Sequence, residues 1–251
     1  MSNLKGKTAI VTGASRDIGR SCAVKLGEQG CNVVVNYNSN QAAADETVAA
    51  VEAAGGKAIA VKGDMTKKAD VDSLVAETVK AYGNDIHVLV NNVGGLVARK
   101  ALAEMDEDFL NQVMFLNLNS TFLTTQAVAP HMPSGSSIVN LASLAGRDGG
   151  GGGSAAYATS KGAVSTFTRA VAKELGPKGI RCNALCPGMI DTTFHDTFTP
   201  DAVRTNVENS VPMRRQGHPD DCGNLVAYLA SDKAAYITGA NIDINGGLFF
   251  S

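Results

Sequence analysis

Positive charge is not in excess in this chain: 22 Lys and Arg stand against 24 Asp and Glu, a formal net charge of −2. A nucleic-acid backbone would find no basic footprint here. Long apolar runs are missing as well, none approaching the ~20 residues that span a bilayer as a helix. The five cysteines (Cys22, Cys31, Cys182, Cys186 and Cys222) are scattered and form no Cys-x-x-Cys pair. Cys182 and Cys186 flank a short stretch, but no His cluster accompanies them, so no metal site is expected. Such cysteines read as small buried hydrophobes in a reducing compartment. Residues 1–7 move straight toward a strand without a signal-peptide pattern, and the expected location is cytoplasmic.

What is present is an apolar share of 44% beside 18% charged residues, enough for a core in one large α/β domain or two small ones. Short apolar runs alternate with helical stretches. Residues 8–12, 32–36, 58–61, 87–90, 137–141, 181–185 and 241–244 read as strands. Helices are expected over 18–29, 42–54, 69–82, 108–128 and 155–175. Apolar strands separated by helices imply a parallel sheet covered on both faces. The expected fold is α/β: a single domain over 1–251, a doubly wound, Rossmann-type, seven-stranded parallel sheet. Its ligand would lie at the carboxyl ends of the strands. Two segments break the rhythm. Residues 149–153 are consecutive glycines, read as a conformable wall at the ligand edge, with a passive surface loop as the alternative. Residues 191–217 are polar and weakly periodic, and are expected to form a substrate lid.

Thr12-Gly-Ala-Ser-Arg-Asp-Ile-Gly-Arg20 joins the first strand to the first helix. Gly13 permits a tight turn, Gly19 lets the helix pack close to the sheet, and N–H groups at the helix start can receive a pyrophosphate. A plain strand–helix turn could carry the same glycines. Tyr157 and Lys161 stand four apart in Ser154-Ala-Ala-Tyr-Ala-Thr-Ser-Lys161. On a helix they share a face, about 6 Å apart along the axis. A free phenol has a pKa near ~10, and a cation within about 4–6 Å lowers it. Such a Tyr can give a proton to a developing alkoxide or take one from an alcohol. A surface helix carrying both residues by chance is the competing reading.

Over essentially its whole length the chain resembles the short-chain dehydrogenase/reductase family. Gly13 and Gly19 match the first and last glycines of that family's Thr-Gly-x-x-x-Gly-x-Gly motif, and Asp17 replaces the middle one. Asn91-Asn-Val-Gly94 is similar to the family's Asn-Asn-Ala-Gly after strand four. The resemblance implies an Asn117–Ser143–Tyr157–Lys161 tetrad. Tyr157 would be the general acid and Ser143 would bond the carbonyl oxygen. Lys161 would lower the Tyr pKa and bind the nicotinamide ribose, and Asn117 would hold a relay water. It also implies dinucleotide contacts from Gly13, Ser15, Arg16, Ile18, Gly19, Asn36, Asp64, Met65, Asn91, Val93, Gly94, Tyr157, Lys161, Pro187, Gly188, Ile190 and Thr192. An acid at the end of strand two would bind the ribose diol of NAD. Asn36 stands there instead, and Arg16 adds a cation suited to phosphate, so NADPH is preferred, with NADH as the alternative.

Asn91-Asn-Val-Gly-Gly-Leu-Val-Ala-Arg-Lys100, the glycine run and Asp191-Thr-Thr-Phe-His195 look similar to bacterial reductases of alginate breakdown. Those reduce 4-deoxy-L-erythro-5-hexoseulose uronate to 2-keto-3-deoxygluconate. A small acidic substrate would want cations and donors, for which Arg99, Lys100, Arg147, His195 and Arg204 are at hand, with Arg99, Arg147 and His195 the chosen contacts. A 3-oxoacyl-[acyl-carrier-protein] reductase is the alternative, through Val33-Val-Val-Asn-Tyr37 and the shared motifs. A nucleotide-sensing regulator without turnover is the alternative of another class. The resemblance further implies a homotetramer built on the helices at 108–128 and 155–175 and on the C-terminal strand.

Overall fold

The computed structural model describes residues 4–250; residues 1–3 and 251, the ends of the expected 1–251 domain, lie outside the described residues. Along the first half, β1 (Thr8–Val11), α1 (Asp17–Glu28), β2 (Asn32–Tyr37), α2 (Gln41–Ala53), β3 (Lys57–Lys62), α3 (Lys68–Tyr82) and β4 (Val88–Asn91) alternate strictly. Then come α4 (Glu107–Met114) and α5 (Ser120–Val128), joined by a π-helical stretch, Phe115–Asn119. After these run β5 (Ser137–Leu141), α6 (Ala145–Asp148), α7 (Ala155–Leu175) and β6 (Arg181–Pro187). The chain closes with α8 (Thr193–Phe198), α9 (Asp201–Ser210), α10 (Pro219–Ala230) and β7 (Asn241–Ile244).

The seven strands form one parallel sheet in the order β3-β2-β1-β4-β5-β6-β7. Strand periodicity explains how both faces are covered, because alternate side chains point to opposite sides. Ala9, Val11, Val33, Val35, Val88 and Val90 pack against Cys22 and Leu26 of α1 and Val226 and Leu229 of α10. Ile10, Val34, Leu89 and Ile138 face the other way, onto Leu74 of α3, Val128 of α5 and Val171 of α7. All five cysteines are buried and free, as small core residues. Among the described residues no helix is long and apolar enough to cross a membrane. No group of three or more His, Cys, Asp or Glu among them could hold a metal ion.

The helix expected over 108–128 is present across Glu107–Val128 but carries a π-turn within it. At Phe115–Asn119 the hydrogen-bond ladder widens into a π-turn, and the Asn117 side chain explains why. Its Nδ2 donates to Val113 O (2.9 Å) and Gly95 O (2.9 Å), while its Oδ1 accepts from Gly95 N (3.0 Å). An amide that binds both its own helix and a neighbouring loop distorts the turn it sits in. The lid expected over 191–217 contains α8 and α9, and an isolated bridge between Ile190 and Gly217 closes its base.

Candidate active site

Strand order reverses between β1 and β4, and a cleft of about 890 Å³ opens at their carboxyl ends. This is the switch point at which open α/β sheets receive ligands. The β1–α1 turn forms one wall. Gly13 adopts φ +60°, and a Cβ on Gly19 would lie 2.3 Å from Gly13 O and 2.6 Å from Asn92 Nδ2. Asn92 Nδ2 itself donates to Thr12 O (3.1 Å) and Gly13 O (3.0 Å), drawing the turn down onto the end of β4. Arg16, the N-cap of α1, makes no side-chain cap bond, which leaves first-turn N–H groups free for an anion. The residues present therefore fit a dinucleotide. Gly19→Ala should force the turn open and weaken reduced-dinucleotide binding about tenfold or more, as read by fluorescence titration.

Of the expected cofactor residues, Gly13, Ser15, Arg16, Ile18, Gly19, Val93 and Gly94 line the cleft. So do Tyr157, Lys161, Pro187, Gly188, Ile190 and Thr192. Four others lie elsewhere. Asn36 is only 1% exposed; its Oδ1 accepts from Gly13 N (3.1 Å) and its Nδ2 donates to Val61 O and Gly63 O. It pins the turn to the sheet instead of facing a ribose, and Asn38, Ser39 and Asn40 form that part of the wall. Asn91 is likewise buried, bonding Asn140, Thr125 and Thr124, and ties β4 to β5 and α5. Asp64 is occupied locally by Thr66 N (3.0 Å) and Thr66 Oγ1 (2.7 Å), and Met65 sits in the core.

Ser143, Tyr157 and Lys161 line the same cleft. The 21-residue α7 carries Tyr157 and Lys161 on one face, as their spacing required. Lys161 is buried, its ammonium donating to Leu141 O (2.6 Å), and burial lowers its pKa to about 8. The expectation that Lys161 depresses the Tyr157 pKa is not met in the protein alone. Burial pushes that phenol up, and nearby Ser143 offsets part of the rise. The ammonium stands 5.8 Å from the Tyr157 ring centroid and is committed to the Leu141 carbonyl. Asn117 lies behind the wall; a Cβ on Gly94 would meet both Asn117 Oδ1 (2.5 Å) and Lys161 Nζ (2.9 Å). That loop position thus admits only glycine without displacing one of the two.

The other end of the cleft is lined by the glycine run, the loop after β4 and the segment that carries α8 and α9. Arg99 lines it, donating to Gly152 O (2.9 Å) and Phe198 O (3.2 Å), which ties one carbonyl of the glycine run to the loop after β4 while Gly149, Gly150, Gly151 and Gly152 stay exposed. Val97 beside it holds φ +66°, costly for a β-branched residue. Arg147, by contrast, turns away from the cleft to Asn241 O (3.3 Å) and Asp243 (3.6 Å) on β7. Arg204 is committed to Asp191 and Asp196, and Lys100 to Asp106 (3.4 Å). His195 lines the cleft as a neutral group, since burial and then the Arg204 and Arg99 charges push it down to about 4. Two aromatic side chains join the cleft without a motif to mark them: Phe194, whose ring lies 5.9 Å from that of Tyr157, and Phe198, 5.2 Å from Phe194. Lone aromatics in a polar, aperiodic segment gave no signal. Asn92 was also overlooked beside Asn91, although a strand-end alternation would have turned it toward the cleft.

Comparison with known proteins extends this geometry. A family model described as Enoyl-(Acyl carrier protein) reductase matches residues 13–249. An uncharacterized oxidoreductase of Methylorubrum extorquens is 39% identical over 252 residues, covering 99% of this chain and 100% of its own length. A 3-oxoacyl-[acyl-carrier-protein] reductase of Staphylococcus epidermidis is 38% identical, covering 97% and 99%. Among solved structures, a Serratia marcescens short-chain dehydrogenase/reductase superposes with a TM-score of 0.92 at 33% identity, covering 98% of both chains. An NADH-dependent reductase responsible for alginate metabolism, A1-R′, superposes at 0.91 with 32% identity, covering 100% of both. With the sheet order, the glycine turn and the Ser–Tyr–Lys cluster all in one cleft, this chain belongs to the short-chain dehydrogenase/reductase family of oxidoreductases.

Proposed function

We propose that the protein is an NAD(P)H-dependent reductase that turns a carbonyl into an alcohol, with Tyr157 as proton donor. The observation that carries the reading is the Tyr157 phenol, which lines with Ser143 and Lys161 the cleft that also holds the glycine turn. A nicotinamide bound there supplies the hydride. Ser143 and Tyr157 bring two hydroxyls to the same cleft; donors placed where negative charge develops on a substrate oxygen stabilise the transition state without reorganising. The raised phenol is neutral at pH 7, the form that gives a proton. Lys161 holds its ammonium beside Gly94 and Asn117, suited to a ribose hydroxyl. Asn117 fixes the loop at Gly95 and has one Oδ1 lone pair left for a relay water.

NADPH is the favoured dinucleotide. The wall after β2 offers Asn38, Ser39 and Asn40, with no carboxylate among them, and the exposed Arg16, paired with Asp17 at 3.7 Å, lines the same cleft. For the substrate we favour a small keto sugar acid, such as 4-deoxy-L-erythro-5-hexoseulose uronate going to 2-keto-3-deoxygluconate. Arg99 is the supporting observation: its neighbours Arg147, Arg204 and Lys100 are all committed to carboxylates, whereas its own bonds are to carbonyls. A specific observation also favours a 3-oxoacyl thioester: Leu96, Val97, Phe194, Phe198, Val203 and Leu248 give the cleft an apolar side. A carbonyl panel with purified protein, following NADPH and NADH separately, decides between them. Arg99→Ala should raise KM for the keto acid about 10- to 100-fold and leave a neutral carbonyl within about threefold. Turnover of acetoacetyl thioester but of no sugar acid would reverse the ranking. The reading includes a cytoplasmic homotetramer, supported by the free cysteines and by exposed Leu110, Phe115 and Phe122 along α4–α5.

A further inference from the structure

Asp17 opens α1 with φ +52°, in the left-handed region that few side chains tolerate, Asp being one of them. Its carboxylate stands in the first turn of α1, where it suits the dipole, and Oδ2 pairs with Arg16 at 3.7 Å. It also reaches across the cleft to α8. Oδ2 accepts the Thr193 hydroxyl at 2.5 Å, and Oδ1 accepts the Thr193 N–H at 3.4 Å. Thr193 is the first residue of α8, and the N-cap before it, Thr192, makes no cap bond because its hydroxyl goes to Ile190 O (3.1 Å). A short helix without its own cap leaves first-turn N–H groups unsatisfied, and a carboxylate there answers both the N–H and the dipole. Asp17 and Thr193 both line the cleft, from opposite walls. The residue after Thr193 is Phe194, whose ring packs toward Tyr157.

We propose that Asp17 is a positioning residue: from the nucleotide turn it caps the helix α8, and so sets the Phe194 ring beside that of Tyr157. The link makes the substrate wall depend on the dinucleotide wall. It also accounts for a carboxylate in a turn where glycine would fit the backbone with less strain and would not repel a phosphate. The proposal rests on reading the cleft as the catalytic one.

The test separates backbone strain from the cap. In Asp17→Gly the left-handed φ is relieved while the unfolded chain gains freedom, so Tm should stay within about 2 °C of the parent. Hydrogen–deuterium exchange on the protein without ligand should nevertheless quicken about tenfold over residues 193–199. KM for the best carbonyl of the panel should rise about three- to tenfold with a smaller change in kcat. Asp17→Asn, which keeps an acceptor and the left-handed tolerance, should restore most of the protection. Thr193→Val should shift exchange in the same direction as Asp17→Gly, and the double variant should add nothing further. Unchanged exchange over 193–199 in Asp17→Gly overturns the proposal, as does a fall in Tm that parallels the loss in kinetics. Quickened exchange with no turnover of any carbonyl in the parent protein would keep the cap and overturn the catalytic reading alone.

Discussion

Tyr157→Phe is expected to lower kcat for carbonyl reduction about 10³- to 10⁴-fold while dinucleotide affinity stays within about twofold. The substitution keeps the ring, and with it the contact to Phe194, and deletes only the hydroxyl. That hydroxyl lies in a buried setting that raises its pKa, with nearby Ser143 offsetting part of the rise, so it is a protonated donor throughout the neutral range. Reduction needs the neutral phenol and should fail only as pH climbs through the phenol's pKa. The reverse reaction needs the phenolate and should speed up over the same interval. Single-turnover absorbance of the reduced dinucleotide, measured beside its binding isotherm, reads both quantities. A variant that reduces the carbonyl at the parent rate would remove Tyr157 from the chemistry.

The second large effect is expected at Lys161, where activity and stability should move in opposite directions. Lys161→Met keeps an unbranched chain in the buried slot and removes the ammonium that faces Gly94 and Asn117. The kcat/KM for reduction should drop about 10²- to 10⁴-fold. Against this, a lysine whose pKa falls from 10.5 to about 8 signals a charge held against burial, at a cost of about 3 kcal/mol. Losing the bond to Leu141 O returns about 1 kcal/mol of that. Tm at pH 7 should therefore rise, by about 2–6 °C. The pH dependence has a definite sign. Between about 8 and 10.5 the unfolded lysine binds a proton that the folded one does not, so the parent gains stability as pH rises through that window. The Met variant lacks that gain, and the difference between the two should shrink from pH 8 to pH 10.5. Parallel thermal melts across this range measure it; a gap that widens with pH would sink the argument.

Much of the architecture could be read directly, for a specific reason. Strands such as Val33-Val34-Val35 are apolar on consecutive positions because both faces are covered, and only a parallel sheet between helix layers does that. Tyr157 and Lys161 were legible because helical spacing alone puts them on one face. Side chains that choose between two environments were not legible. Asn36 and Asn38 are both polar residues at the end of β2, yet only the three-dimensional turn decides that the first bonds Gly13 and the second meets the cleft. Arg147 and Arg99 look alike as loop cations, but Arg147 has Asp243 within reach and Arg99 does not. The direction of the Tyr157 shift depended on burial that no spacing encodes. The π-turn at Phe115–Asn119 needed a partner, Gly95, from 22 residues upstream.

The placement of β1 between β2 and β4 has a consequence for synthesis. Val11 pairs with Val35 on one side but must wait for Val90 on the other. While the ribosome extends the chain between them, the strand that carries the glycine turn has one naked edge, and its nucleotide pocket lacks a floor. Sheets built from such distant pairings assemble slowly and expose sticky surface meanwhile. A nascent chain stalled before residue 88 would offer that edge to chaperones.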